Sequence, residues 1–286
     1  MARTGSRMAD DNVFGLDGTL LLAGAGKMGG ALLAGWLERG LAPERVLVQD
    51  PAPPAEVAML LARHAIPFQS EIGALRDPPA VIIAAVKPQA MEAVLPGLAR
   101  LAGPRTLVVS IAAGKTLAGF ARHFAPGTAI VRAMPNTPAA IGRGITVCVA
   151  NAHAAGPQRA LAGALLEAVG DVGWVEHEAL MDAVTAVSGS GPAYVFLLAE
   201  ALTAAGIGQG LDPAFAARLA RATVSGAGEL LRQSPDSAEQ LRRNVTSPGG
   251  TTAAALAVLM REGDGLGALL EEAVAAATKR GRELAG

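Results

Sequence analysis

Three glycines, Gly24, Gly26 and Gly29, separate the unbroken apolar run Thr19-Leu20-Leu21-Leu22-Ala23 from a segment with apolar Met28, Leu32, Leu33, Trp36 and Leu37 at helical spacing. A strand buried on both faces must therefore turn sharply into a helix. The glycines permit that turn. They also let a pyrophosphate approach the unpaired N–H groups and positive end of the helix. Alone the spacing also fits a purely structural turn, but in a strand–turn–helix setting it predicts a dinucleotide site. Asp50 closes the next strand about twenty residues on, where an acid bonds the ribose hydroxyls of NAD. The following Pro51-Ala52-Pro53-Pro54 carries no Arg or Lys to meet a 2′-phosphate, so the local chemistry leans to NAD.

The same alternation continues to about Gly173. Strand candidates lie at 46–48, 81–84, 107–109, 129–131 and 145–147, with helices expected at 55–64, 89–101, 116–124 and 153–169. Repeated βα units of this length imply a parallel, doubly wound, Rossmann-type α/β sheet. From Glu178 onward the pattern is helical only, with helices expected at 179–187, 192–207, 213–231, 251–260 and 266–284. The expected organisation is a disordered, polar N-terminal extension over 1–18, without an apolar core of the signal-peptide kind, and a dinucleotide-binding domain over 19–175. An all-helical domain over 176–286 follows.

Charge and cysteine content narrow the function. The 24 basic and 25 acidic residues give a net charge of -1 and no basic cluster, which argues against a nucleic-acid partner. The one cysteine, Cys148, can form neither an internal disulfide nor a zinc site, and an alternating apolar run marks it as buried and inert. The four histidines are scattered, so no metal is expected. The apolar stretch 183–211 is interrupted by Ser188-Gly189-Ser190-Gly191-Pro192 and by Gly206, Gly208 and Gly210. It reads as a core or subunit-interface helix rather than a membrane span, which points to a soluble cytoplasmic oligomer.

Other candidate contacts fall at strand ends, where ligands bind in such sheets. Ala85-Val86-Lys87-Pro88 follows one strand, and Lys87 is one of only four lysines. Ile111-Ala112-Ala113 follows another with small residues that admit a cofactor. Met134-Pro135-Asn136-Thr137-Pro138 leaves a third as a stiff loop, compatible with an ordinary turn. Ser247-Pro248-Gly249-Gly250-Thr251-Thr252 precedes a helix, where open N–H groups and two hydroxyls suit a carboxylate as well as they suit simple capping. No lysine lies in the central helical region, no histidine follows His177, and Tyr194 is followed four residues later by Leu198. Alcohol oxidation normally needs a group that takes the hydroxyl proton. A protonated imine is already an electrophile, so the chain is better equipped to reduce C=N.

Taken in order, Gly24-Ala25-Gly26-Lys27-Met28-Gly29, Ala85-Val86-Lys87-Pro88-Gln89, Arg132-Ala133-Met134-Pro135-Asn136-Thr137-Pro138, Ser188-Gly189-Ser190-Gly191-Pro192-Ala193-Tyr194 and Ser247-Pro248-Gly249-Gly250-Thr251 resemble the pyrroline-5-carboxylate reductases. The resemblance implies reduction of L-1-pyrroline-5-carboxylate to L-proline, the last step of proline synthesis. It implies a nicotinamide cofactor held by Gly24, Gly26, Lys27, Met28 and Gly29, by Ala85, Val86, Lys87 and Pro88, by Ile111, Ala112 and Ala113, and by Asn244. The substrate carboxylate is expected on Gly250, Thr251 and Thr252, with the Thr252 hydroxyl at the ring nitrogen as the catalytic contact and Glu178 on the substrate side. It also implies homodimers through the helical domain, with each site shared between a sheet domain and that dimer, and rings of dimers.

The sequence departs from the family pattern in its long N-terminus, with Met8 an alternative start, in Arg243 where many members carry an acid, and in Asp50. The family generally uses NADPH, whereas a carboxylate at Asp50 repels a 2′-phosphate, so the expectation is dual use of NADPH and NADH or a leaning to NADH. The competing functions are a reductase of another small cyclic imine carboxylate and a non-catalytic NAD(P) sensor, the latter needing no carboxylate seat.

Overall fold

The computed structural model describes residues 13–285. Residues 1–12 of the expected extension lie outside the described residues. The rest of it departs from expectation: Phe14 and Leu16 are buried in the main core, and Arg45 Nη1 donates to Leu16 O at 2.8 Å. These two apolar side chains leave water, which anchors a stretch that reads as polar in the sequence.

Among the described residues the strands are β1 (Leu20–Ala23), β2 (Val46–Gln49), β3 (Phe68–Gln69), β4 (Val81–Ala84), β5 (Leu107–Ser110), β6 (Ala129–Met134), β7 (Gly144–Ala150) and β8 (Gly170–Trp174). They form one sheet in the order β3-β2-β1-β4-β5-β6-β7-β8. β1 to β6 are parallel, with Leu20 opposite both Val46 and Val81. β7 pairs antiparallel to β6, Ala133 facing Cys148, and β8 runs parallel to β7. An entirely parallel sheet was the expectation. The reversal follows from the loop between β6 and β7, which holds only a 3₁₀ turn, Thr137–Ile141, and is too short for a parallel crossover. β3 and β8 are absent from the sequence reading because neither is an apolar run; β8 includes Gly170, Asp171 and Gly173.

Because side chains alternate along a strand, each face of the sheet gathers its own core. Leu20, Leu22, Val81, Ile83, Leu107 and Val109 meet α1 (Lys27–Glu38), α2 (Ala55–Arg63) and α5 (Gly156–Leu166) through Leu33, Trp36, Leu61 and Leu165. Leu21, Ile82 and Val108 meet α3 (Pro88–Leu101) and α4 (Leu117–Ala121) through Met91, Leu95, Leu98 and Phe120. Burial on both faces is why these strands read as continuous apolar runs. Asn151 organises one sheet end: its Oδ1 accepts from Ile130 N, His153 N and Ala154 N while its Nδ2 donates to Thr128 O.

The chain divides into two compact units between Gly189 and Ser190, later than the expected 175/176, and from Arg280 onward it returns to the first. A 3₁₀ turn at Glu178–Leu180, α6 (Met181–Val184) and a π turn at Thr185–Gly189 belong to the first unit, which buries Met181 and Ala186. The expected single helix over 179–187 is thus three short pieces. The second unit holds α7 (Gly191–Gly208), α8 (Pro213–Gln233), α9 (Ala238–Asn244), α10 (Thr251–Leu259) and most of α11 (Leu266–Ala285). Asp212 caps α8 by accepting from Phe215 N, and Ser237 caps α9 by accepting from Gln240 N. The α9 sequence Ala-Glu-Gln-Leu-Arg-Arg-Asn offers no apolar stripe, so periodicity passes over it. α7 and α10 bury none of their residues, and Phe196 and Leu197 are each 63% exposed. The helical run Glu178–Gly208 is long and apolar enough to cross a membrane by length and composition.

Trp36 is fully buried and its Nε1–H donates to Leu165 O at 2.8 Å. Trp36→Phe strands that carbonyl, and the expected loss is about 1–3 kcal/mol of unfolding free energy. Urea denaturation checks it, as a lower midpoint at unchanged slope.

Candidate active site

The glycine turn is built by close contact rather than by side chains. Gly24 follows β1 at φ +94°, where an L side chain is strained, and a Cβ there would lie 2.7 Å from the Ala85 carbonyl and from Val86 N. A Cβ on Gly29 would collide with Gly24 O. Gly26 differs: it has φ -69°, and a Cβ would meet nothing within 4 Å. Outer glycines locked by packing and a middle one open to solvent match the requirements of pyrophosphate approach. No side chain caps α1, so its first N–H groups remain available to an anion. Lys27 is exposed at this helix start and Met28 half-buried.

Asp50 sits differently from the sequence expectation. Its Oδ2 accepts from Ala25 N at 2.6 Å and its Oδ1 from Ala52 N at 2.8 Å. The carboxylate therefore braces the glycine turn itself, and any ribose hydroxyl must share its remaining lone pairs. Beside it, at the carboxyl ends of β2 and β4, lies a groove of about 320 Å³ lined in part by Gln49, Pro51, Glu71, Val86, Val94 and Arg100.

The loops after β4 and β5 lie side by side. Ala85 N donates to Ala23 O at 2.7 Å and Ile111 N to Ala84 O at 3.1 Å, so both loops are fixed by the sheet ladder. Ala85 and Val86 are half-buried. Lys87 is exposed where α3 begins, and Pro88 occupies the first helical position, where its missing N–H costs nothing. Ala112 is buried and Ala113 exposed. These residues form a surface of small side chains and backbone along the carboxyl edge.

Glu178 joins this edge through a role the sequence did not reveal. Its Oε1 accepts from Arg132 Nη1 at 2.9 Å and from Leu117 N at 2.8 Å; Oε2 takes neither bond. The Arg132 side chain is 5% exposed. Removing one partner of such a pair leaves an uncompensated buried charge. Glu178 therefore ties β6 to the start of α4, directly after the Ile111–Ala113 loop.

In the second unit, the Asn244 Oδ1 accepts from Gln240 Nε2 at 2.7 Å, leaving its own amide N–H groups as donors. Arg243 pairs with Glu239 at 2.7 Å, an exposed ion pair one turn apart on α9. Gly250 precedes α10 with no side-chain cap, and the Ser247 hydroxyl lies 2.5 Å from where a Gly250 Cβ would be. The turn Ser247–Gly250 thus closes without a side chain over the helix start, and Thr252 is half-buried beside it. Among the described residues no group of three or more His, Cys, Asp or Glu side chains is placed to hold a metal. Cys148 on β7 is buried, and desolvation pushes its thiol up to about 12.

A glycine cradle on a doubly wound sheet, with a helical unit following it, defines the class: this is an NAD(P)-dependent oxidoreductase. Residues 19–114 match the family described as NADP oxidoreductase, coenzyme F420-dependent, and residues 178–284 match pyrroline-5-carboxylate reductase dimerisation. A pyrroline-5-carboxylate reductase of Pseudomonas aeruginosa is 42% identical over 92% of this chain and 95% of its own length, and that of Synechocystis is 43% identical over 92% and 97%. The structure of the Coxiella burnetii pyrroline-5-carboxylate reductase is similar with a TM-score of 0.86 at 34% identity, covering 94% of this chain and 99% of that one. The Plasmodium falciparum pyrroline carboxylate reductase, whose structure has NADP bound, gives 0.76 at 26% identity over 94% and 99%. The chain belongs to the pyrroline-5-carboxylate reductase family.

The two kinds of glycine separate in experiment. Gly26→Ala is expected to leave the melting temperature unchanged and raise the Kd for reduced dinucleotide about tenfold, about 1.4 kcal/mol, read by fluorescence titration. Gly24→Ala is expected to lose cofactor binding and stability together. Cys148 is expected to resist a thiol reagent at pH 8 in the folded protein, since so little thiolate forms there, and to react at once in guanidinium.

Proposed function

We propose that this protein transfers hydride from NAD(P)H to the C=N bond of L-1-pyrroline-5-carboxylate, giving L-proline. The observation that carries the reading is the uncapped start of α10 behind Ser247–Gly250, a seat for one small carboxylate that a sensor of dinucleotide alone does not need. The relatives named above support the same substrate.

When bound, the reduced nicotinamide supplies the hydride. The chain's own part is positioning and electrostatics. Gly24, Gly26, Lys27, Met28 and Gly29 receive the pyrophosphate. Ala85 to Pro88 and Ile111 to Ala113 form the wall along the carboxyl edge, and the groove beside Asp50 takes the adenosine. Asn244 donates to the cofactor from the second unit. The backbone N–H groups at Gly250, Thr251 and Thr252 hold the substrate carboxylate. Thr252 Oγ1 orients the ring nitrogen, and Glu178 faces the iminium charge through Oε2. Fixing the imine carbon supplies the larger share of the barrier reduction, and charge stabilisation adds to it.

The Asp50 carboxylate, held by Ala25 N and Ala52 N, opposes a 2′-phosphate, and residues 51–54 carry no cation to offset it. NADH is therefore the assigned donor. The helical units of two chains pair through the exposed apolar face of α7 into a homodimer, with dimers closing into a ring, in the cytoplasm.

Oxidation of NADH and of NADPH followed at 340 nm, with and without pyrroline-5-carboxylate, tests the reading. Substrate-dependent turnover yielding proline is expected, faster with NADH. Dinucleotide binding without turnover would overturn the reductase reading. Thr252→Val is expected to lower kcat/KM for the imine by tenfold or more; a value within a few-fold of wild type removes Thr252 from the mechanism.

A further inference from the structure

Asp50 follows β2, and its carboxylate is held at both oxygens. Oδ2 accepts from Ala25 N at 2.6 Å and Oδ1 from Ala52 N at 2.8 Å, while Asp50 N donates to Gln69 O at 2.9 Å. The two side-chain bonds differ in kind. The one to Ala52 N lies in an exposed loop, where water satisfies that donor equally well. The one to Ala25 N crosses to the glycine turn, and Ala25 is fully buried, so its N–H has no recourse to water. Ala25 N–H and the Gly24 carbonyl are the two ends of one peptide. The carbonyl end packs on Gly29, where a Cβ would collide with it, and Gly24 N donates to Gln49 O at 2.8 Å. Beyond this peptide the packing stops, because a Cβ on Gly26 would meet nothing within 4 Å. The orientation of the Gly24–Ala25 peptide therefore decides how the open part of the turn leads into α1, and Asp50 is the side chain that holds it.

We infer that Asp50 is a positioning residue for the cofactor's pyrophosphate. Through Ala25 N it keeps the Gly24–Ala25 peptide in the orientation that receives the anion, so its acceptor oxygen serves binding while its charge opposes it. The opposition is Coulombic: a carboxylate beside the seat repels a phosphate of any kind. Released from Asp50, the peptide rotates among several states, and the cofactor binds only the competent fraction. Loss of the acceptor then weakens NADH and NADPH alike, where a carboxylate acting only on the ribose would separate them. The inference rests on the cofactor seat proposed above.

The test compares wild type, Asp50→Ala and Asp50→Asn by thermal melting and by fluorescence titration with NADH and NADPH. Inorganic pyrophosphate, which has no ribose, is titrated as a competitor that displaces NADH. Both variants lose the charge, but only Asp50→Asn keeps an oxygen for Ala25 N, its amide then facing the exposed Ala52 N. Asp50→Ala is expected to raise the Kd for all three ligands about tenfold, as for a turn that is competent about one-tenth of the time. Asp50→Asn is expected to restore pyrophosphate affinity to within about threefold of wild type, or better, and to bind NADPH more tightly than wild type does. Tighter pyrophosphate binding by Asp50→Ala, or equal behaviour of the two variants in either direction, overturns the proposal. So does loss of cooperative melting in Asp50→Ala, which would make the bond a folding contact. Wild type that binds NADH but does not release it to pyrophosphate overturns the seat assigned to the glycine turn, and the proposal with it.

Discussion

The close approach of Gly24 to the Ala85–Val86 peptide is the contact on which the rest of the molecule depends. It brings the turn after β1 against the loop after β4, two neighbouring strands inside the sheet. No side chain fits between them. Consequently the α1 start, the Asp50 carboxylate on Ala25 N and the Ala85–Pro88 wall are placed by one backbone-to-backbone fit. Packing of this kind is rigid, since backbone atoms cannot change rotamer to relieve a clash. The cradle is therefore formed before any ligand arrives, which is how a binding site avoids the cost of ordering itself.

A second constraint is electrostatic. Arg132 is buried on β6, and its charge is met by Glu178 Oε1, which also receives the first free N–H of α4. Hydrophobic residues of similar volume often replace such pairs without loss. The pair here links a strand, a helix start and the approach to the helical unit, which apolar contacts would join with less directional control. Asn136 does the same one loop further on with neutral hydrogen bonds, accepting from Ile145 N and donating to Ser188 O. Both residues follow or lie on β6, so this one strand organises the polar connections at the site's edge.

Much of this was legible in the sequence, and the reasons differ by element. Strands buried on both faces announce themselves as apolar runs, and β1, β2, β4, β5, β6 and β7 fall where the runs are. β3 and β8 do not, because a short edge strand and one rich in glycine carry no such pattern. The β7 reversal was encoded in loop length between Met134 and Gly144 rather than in composition. Phe14 and Leu16 looked like part of a polar tail because two apolar residues among glycines and aspartates form no periodic pattern. The cofactor turn was readable because its glycines act through spacing. The side-chain bonds of Asp50, Glu178 and Asn136 were not, since most of their partners are backbone N–H groups and carbonyls, which leave no trace in residue type, and no sequence spacing links Glu178 to the Arg132 side chain 46 residues away.

The return of the chain from Arg280 onward to the first unit has a consequence for how the molecule is made. The sheet strands are all synthesised by residue 174. Even so, Gly281 packs beside Asp182, and the Leu284 carbonyl lies near Gly114, just past the loop after β5. A ribosome must pass residue 280 before the first unit has all its parts, so the nascent sheet emerges with that patch uncovered while about ninety helical residues are translated, the length of the second unit from Ser190 to Lys279. A truncated product that lacks only its final turns carries the defect into the dinucleotide half, far from the missing codons.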